Sequence, residues 1–164
     1  MPPGARRRLR TLDVTSTVSA NHRPSFRLSF LSDEADAPAP VVSEILGRAR
    51  SAAPWDEASI YPAQGDFPRV HISWRSDAGF TVHCFEDERS DGEFLVSERA
   101  LSLPSVEVNL GGQALERWPR ELFVPTALAT EALEYFLDRA KRKPSLFWTG
   151  TGDFSRETLS KGRK

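Results

Sequence analysis

Two histidines, His71 and His83, lie in neighbouring segments whose apolar residues alternate. The alternation predicts a hairpin with Val82 opposite Ile72, so the two imidazoles face each other across the strand pair. Two imidazoles could share a metal ion, but a zinc site needs three or four ligands. Cys84 points to the opposite face from its neighbour His83, so it supplies neither a third ligand nor a partner for a catalytic dyad. We therefore expect two half-exposed histidines and no metal site.

The segment from Asp87 to Glu98 nearly matches a calcium-binding loop in its spacing. Asp87, Asp91, Gly92 and Glu98 occupy the first, fifth, sixth and twelfth positions of such a loop. The third position holds Arg89, a cation where an oxygen ligand is required, and the flanking residues have strand patterns rather than helical ones. The sequence therefore predicts no calcium site and no cofactor.

The same segment is strongly acidic, with five carboxylates and one base between residues 86 and 93. On the tip of a hairpin these carboxylates form a compact negative surface, which either is simply solvated or docks into a basic groove of a partner. Trp118, beside Pro119 in a segment without a regular pattern, adds a binding residue if its ring is exposed. The candidate partner-binding residues are Glu86, Asp87, Glu88, Asp91, Glu93 and Trp118.

Charge is segregated along the chain. Residues 1–10 hold four Arg and no acid, and residues 161–164 hold three bases and no acid. Between residues 11 and 138 there are 21 Asp and Glu against 10 Arg and no Lys, a net charge of −11. A body of that sign repels nucleic acid and acidic membranes and attracts basic partners; the alternative is that the acidic residues serve only solubility.

Composition and motifs exclude several functional classes. The 164 residues are 39% hydrophobic and 27% charged, which is typical of one soluble domain. No stretch approaches the ~20 apolar residues of a membrane span, and no apolar segment follows the N-terminal arginines as in a secretory signal. The single cysteine, Cys84, favours a reducing compartment, so we expect a cytoplasmic protein. Gly-x-Ser-x-Gly, His-Glu-x-x-His, Walker and Cys-x-x-Cys motifs are all missing, and no catalytic residue is predicted.

The patterns of apolar residues along the chain predict an α+β fold, in which an antiparallel β-meander sheet is packed by two amphipathic helices. Helices are expected over 41–52 and 126–140, the second with Thr126 as its N-cap and a basic cluster, Arg139 to Lys143, that complements the helix dipole. Residues 33–40 are expected to be a loop. The strands are predicted over 25–31, 69–74, 79–85, 93–98 and 105–110, with short ones over 122–124 and 146–148.

This pattern gives one domain with two polar ends. We expect a disordered basic arm over 1–12, a single α+β domain over 13–148 and a polar basic tail over 149–164.

The C-terminal half resembles a known family. Trp118-Pro119 leads into Leu122-Phe123-Val124-Pro125, and a helix containing Ala132 and Phe136 precedes a basic turn with Pro144 and a strand ending in Trp148. This order is similar to that of the bacterial polymorphic-toxin immunity proteins of immunity family one, over about residues 60–148. The family often has a glycine before its late proline, whereas this chain has Lys141-Arg142-Lys143-Pro144.

The resemblance implies a small protein without enzymatic activity, encoded beside a secreted toxin. It would bind the toxin domain in the cytoplasm as a monomer in a 1:1 complex, without a membrane or direct nucleic-acid partner. Toxins paired with this family often act on nucleic acid, deaminases among them. Such enzymes carry basic grooves, which an acidic inhibitor can match.

Two other functions stay open. A small hydrolase or transferase could assemble carboxylates through its tertiary fold, which predicts a concave pocket with two acids of raised pKa. A nucleic-acid-binding module could use the two basic ends, which predicts salt-sensitive binding that is lost without residues 1–10 and 161–164.

Overall fold

The computed structural model describes residues 24–30, 33–37, 41–51, 58–110 and 114–159. They form two antiparallel sheets and two helices, so the α+β prediction is confirmed. The expected basic arm over 1–12 and residues 160–164 of the expected tail lie outside the described residues. The strands are β1 (Phe26–Phe30), β2 (Asp33–Ala37), β3 (Ala58–Pro62), β4 (Arg69–Arg75), β5 (Gly79–Phe85), β6 (Glu93–Val96), β7 (Val106–Leu110), β8 (Ala114–Trp118), β9 (Phe147–Gly150) and β10 (Glu157–Leu159).

The larger sheet has seven strands in the order β2-β1-β3-β4-β5-β6-β9, and the smaller has the order β10-β8-β7. The predicted hairpin register is confirmed, because Ile72 pairs with Val82 and His71 with His83. Only β3 to β6 run as a meander. The strand predicted over 105–110 does not continue it, because β7 belongs to the smaller sheet, and β9 takes the place beside β6.

Two helices pack on one face of the large sheet. Helix α1 (Val42–Ser51) buries Val42, Ile45, Leu46 and Ala49, which recur at helical spacing. Helix α2 (Thr126–Arg139) buries Ala129, Ala132, Leu133 and Phe136. With the inward residues of the sheet these stripes form the main hydrophobic core.

The ends of α2 differ from the prediction. Pro125 occupies the N-cap position, and Thr126 is the first helical residue. Its hydroxyl instead accepts a hydrogen bond from Arg50 Nη2 at 2.6 Å, which ties α2 to the end of α1. Ala140, with a φ of 51°, ends the helix in the left-handed conformation and donates its backbone N–H to the Phe136 carbonyl.

A second core lies between the large sheet and the small one. Strand β6 contributes to both cores, since Leu95 belongs to the helix-side core while Phe94 and Val96 face the small sheet. A strand buried on both faces reads as a continuous apolar run, as Phe94-Leu95-Val96 does. The second core contains Phe94, Val96, Val106, Trp118, Leu122 and Phe123.

Outside the helices, the structure differs from the predicted elements in several segments. Residues 33–37 of the expected loop form β2, which pairs with β1. The segment 122–124 is not a strand: a short 3-10 helix, Arg120–Leu122, precedes a single bridge between Val124 and Phe80. The segment expected to be a polar tail carries the end of β9 and all of β10, which pairs with β8.

Candidate partner-binding site

The acidic turn, residues 86–93, connects β5 to β6, and one arginine holds both of its ends. Arg142 Nη2 lies 2.9 Å from Glu86 Oε1, and Nη1 of the same guanidinium pairs with Glu93. Its side chain is 24% exposed and also lies over the Trp148 ring, 5.8 Å from the centroid. Two of the five predicted carboxylates, those of Glu86 and Glu93, therefore pair with an arginine of the protein itself.

The other three carboxylates, on Asp87, Glu88 and Asp91, are exposed. The turn has its own internal hydrogen bonds: Asp87 Oδ1 accepts from the Arg89 backbone N–H at 2.8 Å, and Ser90 Oγ accepts from the Gly92 N–H at 3.0 Å. These bonds and the pairing of both ends fix the turn, so the three exposed carboxylates form a preorganised negative surface.

Gly92 holds the acidic turn against β5. Its φ is +75°, and a Cβ at this position would lie 2.4 Å from His83 Nε2 and 2.9 Å from the Phe85 ring. His83 Nε2 lies 3.0 Å from the Asp91 carbonyl oxygen. Only glycine permits both this backbone conformation and the close approach. The turn therefore lies directly beside the side chains of β5 that point away from the helices.

Trp118 does not belong to this surface. It ends β8, it is 8% exposed, and its Nε1–H donates to Glu116 Oε2 at 2.7 Å. Its ring meets Phe94 edge-on, with centroids 5.3 Å apart, in the second core. The prediction for Trp118 required an exposed ring, and this condition is not met, because the segment taken as irregular is a strand that carries this side chain inward.

The two histidines sit among aromatic rings. His83 stacks on Phe94 with centroids 3.8 Å apart and an interplanar angle of 16°, and its centroid lies 4.1 Å from that of Phe85. His71 lies between Phe85, at 5.1 Å, and Tyr61, at 6.5 Å. Within the described ranges, no three His, Cys, Asp or Glu side chains come together as metal ligands would.

Arginines stack on the same rings. The Arg69 guanidinium lies 4.7 Å from the ring centroid of Phe67 and 4.8 Å from that of Phe85. Arg27 lies over Tyr61 at 5.8 Å. Sequence reasoning found the two histidines but missed this cluster, although positions 69, 71, 83 and 85 follow from the alternation of β4 and β5. We call Tyr61, Phe67, His71, His83 and Phe85 the aromatic face; all five are half-buried.

A cleft of about 490 Å³ between the β4–β5 turn and the small sheet is lined largely by charged residues. Two of its three arginines pair with acids of the protein: Arg75 Nε lies 2.9 Å from Asp77 Oδ1, and Arg117 Nη2 lies 3.2 Å from Glu107 Oε1. The hydrogen bond from Arg75 lowers the pKa of Asp77. The hydrolase hypothesis predicts two acids of raised pKa in a concave pocket, and the lowered pKa of Asp77 differs from that expectation.

No protein-family model matches the chain, and comparison with curated protein sequences gives no significant match. Neither described helix has the length and apolar character that crossing a membrane requires.

Proposed function

We propose that this protein is an immunity protein of the polymorphic-toxin type, which binds a cognate toxin domain in the cytoplasm of the producing cell and blocks it. The observation that carries the proposal is the acidic turn, with Asp87, Glu88 and Asp91 exposed and both ends held by Arg142. A fixed group of carboxylates complements a basic surface without the entropy cost of ordering a loop on binding.

The nature of the partner follows from its charge. Enzymes that act on nucleic acid carry lysines and arginines where they meet phosphates. Carboxylates placed in such a groove would occupy the positions of phosphates, accelerate association and exclude the substrate. We therefore propose a nucleic-acid-targeting toxin, such as a deaminase, bound by one copy of this protein.

The order of elements also supports the proposal. Val124 and Pro125 lead from the sheet into α2, whose buried stripe includes Ala132 and Phe136. The turn after α2 leads into β9, which carries Trp148. These are the residues and the order on which the resemblance to immunity family one rests.

The direct test uses the toxin domain at the C-terminus of the polypeptide encoded beside this gene. We expect the two proteins to form a 1:1 complex by size-exclusion chromatography with light scattering, and stoichiometric amounts to abolish the toxin's activity. A toxin domain that is unaffected by an excess of this protein would overturn the proposal.

The role of the turn is tested with the triple variant D87N/E88Q/D91N. We expect its association rate constant to fall about tenfold or more at low salt, with a difference from the wild type that narrows as salt screens the charges. The variant E44Q/E98Q/E134Q makes the same change in net charge at exposed positions elsewhere. Equal association rates for the two triple variants would contradict the assignment.

A further inference from the structure

Among the described residues, only part of the large-sheet face that points away from the helices is covered. In β4 and β5, Val70, Ile72, Val82 and Cys84 point into the helix-side core. On the other side, the small sheet approaches the end of the hairpin near its turn, where Arg75 Nη1 donates to the Glu107 carbonyl. The opposite end of the strands carries the aromatic face.

The aromatic face has the composition of a binding surface rather than of a solvated one. Tyr and Phe rings, together with arginines that stack on them, are the side chains enriched where proteins bind each other tightly. The rings contact one another across three strands, from Tyr61 on β3 through His71 on β4 to Phe85 and His83 on β5. They therefore present a rigid surface that loses little entropy on binding.

The aromatic face is continuous with the acidic turn. Gly92 lies against His83 and Phe85, and the Asp91 carbonyl contacts the His83 ring. An apolar centre bordered by exposed charges is the usual layout of a protein–protein interface.

We infer that the aromatic face is the apolar half of the toxin-binding surface and receives basic side chains of the toxin domain; this inference rests on the proposed function. Ring faces attract Lys and Arg through cation–π contacts, and the adjoining carboxylates of Asp87, Glu88 and Asp91 attract the same side chains. Two arginines of the face itself already lie on these rings, and Arg27 also lies 3.7 Å from Asp66, so the attraction for basic side chains comes chiefly from the adjoining carboxylates.

A sheet face with stacked rings could also bind the bases of a single-stranded nucleic acid. The position of the acidic turn favours a basic protein instead, because carboxylates beside the rings repel the phosphates that such a strand would bring with it.

The test compares two phenylalanines that each carry a stacked arginine. Phe67 belongs to the aromatic face, whereas Phe147, which is 40% exposed with Arg99 4.5 Å from its ring centroid, lies on β9 at the end of β6 far from the acidic turn. We expect Phe67→Ala and Tyr61→Ala each to weaken toxin-domain binding about tenfold or more, and Phe147→Ala to bind like the wild type.

Salt separates this inference from the role of the acidic turn. The loss caused by Phe67→Ala should persist at high salt, where the loss caused by D87N/E88Q/D91N shrinks. Wild-type affinity for Tyr61→Ala and Phe67→Ala, with weakened association of the acidic triple variant, would overturn this inference and leave the proposed function standing. A toxin domain that the wild type does not bind would overturn both.

Two further measurements complete the test. Thermal unfolding establishes whether each variant is folded. In hydroxyl-radical footprinting of the wild-type complex, we expect Tyr61, Phe67 and Phe85 to be protected from modification. Because this second measurement uses the wild type, a variant that fails to fold does not decide the question. Absence of protection at these rings overturns the inference. So does binding of fluorescent single-stranded U12 or dT12 to the wild type that Phe67→Ala abolishes, because the face would then be a nucleic-acid platform.

Discussion

At the scale of single residues, burial makes the one thiol of this protein chemically inert. Cys84 is 2% exposed on β5, and burial raises the pKa of its thiol to about 12. The thiolate is the reactive form, so almost none is present at neutral pH. We expect Cys84 to react with a chromogenic disulfide reagent at pH 8 only when denaturant unfolds the chain. Complete reaction of the native protein within minutes would contradict this.

Glu121 is a second residue whose ionisation depends on the fold. Burial alone would raise the pKa of its carboxyl, but hydrogen bonds to its charged form outweigh burial, so the pKa is lowered. The donors include the Ser102 backbone N–H at 3.0 Å and the Ser102 hydroxyl at 2.9 Å. The carboxylate thereby holds the segment that leads from β6 to β7.

The sign of the pH dependence follows from the lowered pKa. The carboxylate stabilises the fold above the ordinary glutamate pKa of about 4.3, and this contribution is lost as the pH falls through the lower value of the folded state. We expect Glu121→Gln to reduce the free energy of unfolding by about 1 kcal/mol at pH 7, and its difference from the wild type to shrink towards pH 3. Urea denaturation measures both. Glu98→Gln, at an exposed position, serves as the control. If the loss of unfolding free energy in Glu121→Gln stayed constant down to pH 3, ionisation of Glu121 would not be its cause.

Arg142 shows why the site was only partly predictable from sequence. Its place after α2 suggested a cation that complements the helix dipole, and local spacing gave no reason to connect it with Glu86 or Glu93. That connection exists only because β9 returns beside β6, which brings the end of α2 to the acidic turn. The turn itself was predictable because its five acidic residues lie within eight positions of the chain, 86–93.

At the scale of elements, the β4–β5 hairpin depends on Gly79. Its φ is +122°, and a Cβ there would lie 2.5 Å from the Val124 carbonyl oxygen, which accepts a hydrogen bond from Phe80 at 2.9 Å. We expect Gly79→Ala to lower the free energy of unfolding by roughly 2 to 4 kcal/mol, because the strained conformation and the clash add. Thermal and urea unfolding measure the loss.

Gly47 provides the matched control for this substitution. It lies in α1, is exposed, and has nothing within 4 Å of a Cβ built on it. Gly47→Ala should therefore stabilise the protein by about 0.5 to 1 kcal/mol, since alanine has the higher helix propensity. If both alanine variants destabilised the protein equally, the explanation from backbone conformation and steric contact at Gly79 would be wrong.

The elements with clear periodicity were predicted, and those without it were not. Apolar residues recur every three or four positions in both helices and every second position in the β4–β5 hairpin. These elements were therefore predicted with nearly correct bounds. Strand β8, with the sequence Ala-Leu-Glu-Arg-Trp, pairs with β7 across residues 111–113. Gly111-Gly112 after the alternating segment 105–110 is a turn signal, but the β8 sequence itself does not alternate, so no strand was predicted there. Strand β10 has three residues, two of them exposed, so its sequence contains almost no alternation of apolar and polar residues that would predict a strand.

At the scale of the whole molecule, the two cores depend on a strand order that local patterns do not specify. Strand β6 lies between β5 and β9 and is buried on both faces, so it couples the helix-side core to the small sheet. A sequence pattern gives the orientation of each strand's side chains, but the pairing of β6 with β9 closes a long connection that includes the whole of α2. The pairing of β6 with β9 therefore could not be predicted from the sequence.

The residues after Trp148 also belong to the folded unit. Phe154 packs against the second core, with its ring centroid 5.8 Å from that of Phe94 and 6.4 Å from that of Trp118, and β10 covers β8. A chain that ends at residue 148 should lose at least about 2 kcal/mol of stability, because it exposes this apolar surface and leaves β8 without one neighbour. A chain that ends at residue 159 keeps Phe154 and β10 and should unfold at the wild-type urea concentration. Equal midpoints for the two shortened chains would mean that residues 149–159, with the end of β9, Phe154 and β10, contribute nothing to stability.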